Sequence, residues 1–392
     1  MKTLIELYDE RPLENVLGVD VFKPESVVYI CPNDFSGEKK TRQKLETYFR
    51  HRGMNPALVF VRARVYESEA MLKLFRGVVK KYPDCAIDIT GGTDAVLFAA
   101  GLLCAETAIP VFTYSRRRNC IYNIRGSSFD ELPCKVTYTV EECFMMAGGS
   151  MRHGRVDNTV LKNYRESILP FFKLFMKHRR GWTSIVTFMQ RIAPGEADGS
   201  YKLAVEGAYR VKGERGSRIE APVGALRDME RIGFLENLKI VPEETVSFRF
   251  RDGQIRSWLR DVGSVLELYV YKACVDSGLF TDVCLSAVVD WDADDRGKEV
   301  SNELDVMCTR GVIPVFISCK TCDVKTEALN ELAVLRDRFG GKMARAAIVT
   351  AERGGDAMRD RASELDITVI DLDDLKKGRI QKRLKTLMRE LE

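Results

Sequence analysis

Between Ser26 and Ser115, short apolar runs alternate with longer helical segments, and this order constrains the chain more than any other feature. "SVVYICP" (Ser26–Pro32), "ALVFVRAR" (Ala57–Arg64), "CAIDIT" (Cys85–Thr90) and "PVFTYS" (Pro110–Ser115) have the length and apolar content of buried strands. Between them lie "TRQKLETYFRHRG" (Thr41–Gly53), "SEAMLKLFRGVVKKYP" (Ser68–Pro83) and "TDAVLFAAGLLCAE" (Thr93–Glu106), which read as helices. Parallel strands need a crossover connection, and a helix of this length supplies one. The pattern therefore predicts an α/β fold: a parallel sheet with helices on both faces. Such sheets bind ligands at the carboxyl ends of their strands.

The pattern changes twice further on. Asn158–Ile192 is helical, with Pro170 kinking or starting a helix, and Ala193–Ser200 is a loop. Ala221–Val241 reads as a helix running into a strand. Thr245–Leu259 reads as a hairpin turning at Asp252-Gly253, a favoured type I′ pair. A helix followed by a two-stranded wing suggests a winged helix-turn-helix; a plain connecting subdomain fits equally. From Val262 a helix (Ser264–Gly278, capped by Ser264) leads into the strand "DVCLSAVVDWD" and a hairpin of "NELDVMCTRG" with "IPVFISCK". A helix ending at Gly340-Gly341, a strand (Ala344–Thr350), a helix (Asp356–Asp366) and a strand (Ile367–Leu375) close the chain. The expected domains are residues 1–145, 146–260 and 261–392.

A chain of 392 residues is long enough for two or three cores. Its net charge of +4 permits a nucleic-acid partner without demanding one. The eleven cysteines are mostly scattered singly in apolar runs, as expected in a reducing cytoplasm. The close pair Cys319 and Cys322 lacks a second pair with which to hold zinc. No long apolar core of a signal peptide opens the sequence, and no apolar run of about 18 residues crosses it. A soluble, cytoplasmic protein with no membrane partner is expected.

The chemistry concentrates near the C-terminus. Cutting a phosphodiester calls for a cation that polarises the phosphate and acidifies a water. Mg²⁺ or Mn²⁺ wants oxygen ligands. Asp305 lies on one predicted strand. Ser318 and Lys320 lie two apart on the next, so they share a face. Cys319 offers its backbone carbonyl, and Glu267 can approach from the preceding helix.

"GSVLELYVY" (Gly263–Tyr271), "NELDV" and "FISCKT" together resemble the PD-(D/E)xK nuclease superfamily. More narrowly, they resemble the C-terminal domain of CRISPR ancillary nucleases activated by cyclic oligoadenylate. The resemblance covers Gly263 to Thr321 and implies a restriction-endonuclease-like domain. It makes Asp305 and Lys320 the motif's aspartate and lysine, and Glu267 the helix carboxylate. Ser318 departs from the family, which more often has glutamate there. A hydroxyl is a neutral, weaker ligand. Three readings follow: Glu267 with Glu303 or Asp294 completes the ligand set, the site is attenuated, or the serine replaces a natural acid.

A second site is legible in "DITGGTDAVLFAA" (Asp88–Ala100). A strand ends at Thr90, two glycines follow, and a helix begins at Thr93 or Asp94. Glycines admit a ligand close to the backbone, and free N–H groups at a helix start attract phosphate. The hydroxyls of Thr90 and Thr93 add donors. A tight strand–helix turn alone would look the same. In a doubly wound sheet the loop "CPNDFSGEKKTR" (Cys31–Arg42) is expected beside the TGGT loop at the same carboxyl edge, and the run Arg116–Arg118 follows another strand at that edge.

A Rossmann-like domain with a TGGT-type loop ahead of a nuclease resembles the CARF sensor domain. That resemblance implies a cyclic oligoadenylate ligand, most often cyclic tetra-adenylate, bound across a homodimer. Asn33, Asp34, Ser36, Thr90, Gly91, Gly92 and Thr93 are the candidate contacts, with Arg116, Lys39 and Lys40 as weaker ones. The expected function is a ligand-switched, Mn²⁺- or Mg²⁺-dependent nuclease of type III CRISPR defence. Its substrate is single-stranded DNA, single-stranded RNA or nicked duplex DNA. The alternative is a ligand-responsive regulator that reads DNA through the winged unit, with an inactive nuclease-like domain. No histidine stands in the three ligand loops to serve as a general base for degrading the ligand.

Overall fold

The computed structural model describes residues 1–151, 159–195, 201–213, 216–291 and 301–389. Its first sheet has seven strands in the order β3-β2-β1-β4-β5-β6-β7. They are β1 (Thr3–Leu7), β2 (Ser26–Pro32), β3 (Ala57–Ala63), β4 (Cys85–Asp88), β5 (Val111–Ser115), β6 (Cys120–Arg125) and β7 (Glu131–Pro133). The first five run parallel, and β6 and β7 add antiparallel at one edge. Alternate residues serve opposite faces, so Ile5, Val28 and Ile30 pack under α3 (Ser68–Lys81) and α4 (Asp94–Glu106). Leu4, Val27 and Tyr29 pack under α1 (Leu17–Phe22) and α2 (Glu38–His51), in a core continuous with the rest of the chain. Burial on both faces explains why these strands read as unbroken apolar runs.

β1 went unread in the sequence, and it changes the geometry of the ligand edge. It lies between β2 and β4. The chain winds one way from β1 through β2 to β3, then crosses to β4 on the other side. The topological switch point is therefore at β1 and β4, where open α/β sheets place their crevice. The loop after β2 does not lie directly beside the TGGT loop, as expected above; the loop after β1 stands between them.

The chain then passes through α5 (Val140–Ala147) and β8 (Ser150–Met151) to α6 (Thr159–His178) and α7 (Trp182–Ile192). α6 runs through Pro170 without ending there. A small unit follows: β9 (Ala204–Ala208), β10 (Arg210–Lys212), β11 (Arg218–Glu220), α8 (Val223–Arg231), β12 (Leu235–Val241), β13 (Thr245–Phe250) and α9 (Gly253–Trp258). Helix and wing are both present, but the wing is not where the Asp-Gly pair placed it. β12 pairs with β13 across the turn at 242–244, with Glu243 at φ 64°. Asp252 instead caps α9, its Oδ1 accepting from Ile255 N at 2.9 Å. Asp-Gly serves a helix start as well as a tight turn, and here the cap prevails.

The second large sheet has the order β18-β17-β16-β15-β14-β8. It is built from α10 (Ser264–Asp276), β14 (Asp282–Asp290), β15 (Ser301–Arg310), β16 (Ile313–Lys320), α11 (Thr326–Gly340), β17 (Arg345–Thr350), α12 (Asp356–Glu364), β18 (Ile367–Ile370), α13 (Leu372–Lys376) and α14 (Ile380–Arg389). β14, β15 and β16 form an antiparallel meander; β16, β17 and β18 run parallel. α10 is not capped by Ser264. Asp261 Oδ1 accepts from Gly263 N at 2.7 Å and Ser264 N at 3.1 Å. No helix among the described residues is long and apolar enough to cross a membrane.

Candidate nuclease and ligand sites

The β15–β16 ladder stops at Val306 paired with Ile317. One residue further Asp305 stands across from Ser318, and directly opposed side chains of an antiparallel pair share a face. Lys320, two residues on, shares it too. The strands open here, and Asp305 fills the gap. Its Oδ2 accepts from Cys319 N at 2.6 Å and Ser318 Oγ at 3.1 Å, and lies 3.7 Å from Lys320 Nζ. The three residues meet as the sequence spacing predicts.

The Cys319 carbonyl faces the same gap. Lys320 O accepts from Ala351 N in the β16–β17 ladder, so Lys320 turns its backbone groups toward β17. Its neighbour Cys319 turns its own toward β15, where its N–H already meets Asp305. The Cys319 side chain is buried while Cys322 is exposed, so the two thiols of "CKTC" sit in different environments.

Glu267 lies in the first turn of α10, its carboxyl folded back toward the helix start: a Cβ on Gly263 would come within 2.6 Å of Oε1. Burial first, then the charges of Asp305, Asp261 and Glu303, push its pKa up to about 8, against the opposing pull of Lys320. Crowding of carboxylates beside a buried acid favours a cation, and an all-oxygen donor set suits Mg²⁺ or Mn²⁺. The residues present fit such an ion. Among the described residues no three carboxylate, thiol or imidazole side chains converge, so an ion held here would draw its further oxygens from groups such as the Cys319 carbonyl and, more weakly, the Ser318 hydroxyl. Glu303 is exposed at the mouth of the same cleft, which α11 closes with Glu331, Leu332 and Leu335. Asp294 lies outside the described residues. Sequence reading missed Asp261, although an aspartate just ahead of a helix is a capping signal.

At the ligand edge, Gly91 is buried and Gly92 has φ 96°. A Cβ on Gly91 would come within 2.7 Å of the Leu7 carbonyl. The glycines let the TGGT loop press against the end of β1. The two hydroxyls expected to face a ligand have internal acceptors. Thr90 Oγ1 donates to Asp88 Oδ1 at 2.5 Å, and Thr93 Oγ1 to Val65 O at 2.9 Å. Asn33, Asp34, Ser36, Lys39 and Lys40 are exposed after β2, where Phe35 packs on Tyr8 at 4.7 Å. Arg116 is half-buried; burial and the nearby Arg345 guanidinium hold it below the usual arginine range, with Glu14 opposing. Arg118 pairs with Glu131 at 2.9 Å. The β1 loop, with Tyr8, Asp9 and Arg11, is the part of this crevice that the sequence did not disclose.

Residues 257–391 match the Card1-like endonuclease domain family. Two solved structures share the fold over nearly the whole chain. Protein VC1899 from Vibrio cholerae aligns at 16% identity with a TM-score of 0.72, covering 99% of this chain and 98% of that one. Can2 from Sulfobacillus thermosulfidooxidans, solved in complex with cyclic tetra-adenylate, aligns at 16% identity with a TM-score of 0.71, covering 99% and 97%. No curated protein matches the chain in sequence.

Proposed function

We propose that this chain, whose residues 257–391 match the Card1-like endonuclease domain family, is a nuclease of type III CRISPR defence switched on by a cyclic oligoadenylate. The observation that carries the nuclease half is the meeting of Asp305, the Cys319 backbone N–H and Lys320 where β15 and β16 part. Glu267, Asp305 and Cys319 O would hold the divalent ion, with Ser318 as a weak or water-mediated ligand. Such an ion would supply an acidified water and a polarised phosphate. Lys320, 38% exposed beside Asp305, would stabilise the negative charge that builds on the phosphorane. The attacking oxygen bonds to phosphorus, and the ester oxygen leaves with its electron pair.

The sensing half rests on the fold shared with Can2, which was solved with cyclic tetra-adenylate. The crevice between the β1 loop and TGGT is the candidate ligand edge. Just beyond it α4 leaves Phe98 61% and Leu102 38% exposed, an apolar patch beside the site. A second copy packed there would bring two crevices together around a two-fold symmetric ring. Single-stranded DNA, single-stranded RNA and nicked duplex DNA remain the substrate classes. The test is a cleavage assay on labelled strands with and without cyclic tetra-adenylate and Mn²⁺. Cutting that requires both supports the reading; ligand-independent duplex binding without cutting defeats it.

A route from sensor to nuclease passes through Tyr138. Its hydroxyl donates to buried Asp20 in α1 at 2.7 Å, beside the Tyr48 hydroxyl. Its backbone is held by the tip of the catalytic hairpin, with Tyr138 N donating to Gly311 O at 2.9 Å and Thr309 Oγ1 to Tyr138 O. Tyr138→Phe cuts the sensor end and leaves the hairpin end intact. It should cost about 1–3 kcal/mol of stability through the under-satisfied carboxylate. Ligand-stimulated cleavage should fall several-fold while ligand affinity holds, a split that paired binding and cleavage titrations would read.

A further inference from the structure

Residues 375–389 contain seven cations and no acid, more positive charge than the net +4 of the whole chain. The segment begins at the end of α13 and runs along α14. Ile380, Leu384, Leu387 and Met388 are buried against the C-terminal domain, so the apolar side of α14 is spent on the core. Lys376, Lys377, Arg379, Lys382, Lys385 and Arg389 are exposed. No side chain of these six pairs with an acid among the described residues, whereas Arg383 turns in to Asp374 at 3.3 Å. Arg379, Lys382, Lys385 and Arg389 follow one another at three- and four-residue steps, so they line one side of the helix.

The stripe begins at the catalytic edge. β16, β17 and β18 are parallel and in step, with Cys319 paired to Val349 and Val349 to Ile370. The ends of β16 and β18 are therefore about 10 Å apart. Asp371, directly after β18, caps α13, and Lys376 and Lys377 end that helix. The stripe then extends along α14 for roughly 15 Å.

We propose that Lys376, Lys377, Arg379, Lys382 and Lys385 form a backbone-binding surface that holds the phosphates of the substrate strand beside the catalytic cleft. This rests on the nuclease reading and deepens it. The contacts are to phosphate, so the surface adds affinity without sequence preference. A membrane is the poorer fit, because an interfacial helix needs a free apolar face and this one is buried.

Binding is measured on the full chain carrying Lys320→Ala, with a labelled single-stranded oligonucleotide over a range of salt. Each phosphate contact on a single strand contributes a slope of about −0.7 in log K against log salt. Changing the five residues to glutamine should flatten the slope by about 3 and weaken binding more than tenfold at low salt. The melting temperature should hold, since the five side chains are exposed and have no acidic partner among the described residues. The variant with arginine at the four lysines should retain the slope. An unchanged slope in the glutamine variant overturns the proposal. So does patch-dependent binding to anionic lipid vesicles with none to the oligonucleotide. The nuclease reading fails separately: if the unmodified protein binds through the patch but never cuts, the surface stands and the catalytic assignment falls.

Discussion

Lys320→Ala will lower ligand-stimulated cleavage by about 10²–10³ and leave the fold intact. The ammonium lies 3.7 Å from Asp305 Oδ2 and is 38% exposed, a pair too open to stabilise the protein by more than about 1 kcal/mol. Its value is at the reaction centre, where a preorganised positive charge meets charge that develops only in the transition state. Removing one such donor typically lowers kcat by about 10²–10³. A drop of that size, with melting temperature and ligand affinity unchanged, is the expected outcome. Lys320→Arg should recover only part of the rate, because a planar guanidinium cannot place its charge where a compact ammonium does. Cleavage at the unmodified rate in the alanine variant would remove Lys320 from the mechanism.

Ser318→Glu should raise activity at limiting metal and lower stability without it. The serine hydroxyl donates to Asp305 Oδ2 at 3.1 Å, and burial, then its acidic neighbours, already push the Glu267 pKa up to about 8. A glutamate here loses that donor and adds a negative charge within a few ångströms of Asp305. Without a cation the added repulsion should cost on the order of 1 kcal/mol. With a divalent ion the same charge becomes a ligand, and affinity should rise at least tenfold. Metal titrations of binding and of cleavage, with melting curves in the presence of chelator, separate the two effects. Lower activity at saturating metal would mean that the hydroxyl is tuned to its position and is no deficit.

Much of this was legible because period and punctuation agree. The strands at Ser26, Ala57 and Cys85 are nearly pure apolar runs with helices between them, and the two-sided burial of the first and third leaves few other folds, the strand at Ala57 being a half-buried edge. β1 hid because Glu6 interrupts its run. That glutamate is buried against β4, beside Asp88, and burial pushes its pKa well up. An acid in a strand centre is the signal least expected of a core. The wing turn was misplaced because the real one carries Glu243 in the left-handed region, with no glycine to mark it. The Asp305–Lys320 pair was legible because strand periodicity is local. Glu267 was named through the family resemblance, while the basic stripe on α14 was not read at all, since it depends on how a helix packs onto the sheet.

The central claim is that one divalent ion sits between Glu267, Asp305 and the Cys319 carbonyl. The most direct measurement is anomalous diffraction from crystals soaked in Mn²⁺. A single strong peak touching an oxygen of all three residues, lost in Asp305→Asn, is what this account requires. A Mn²⁺-soaked crystal with no peak in the cleft, from protein that still cuts in chelator, would contradict it.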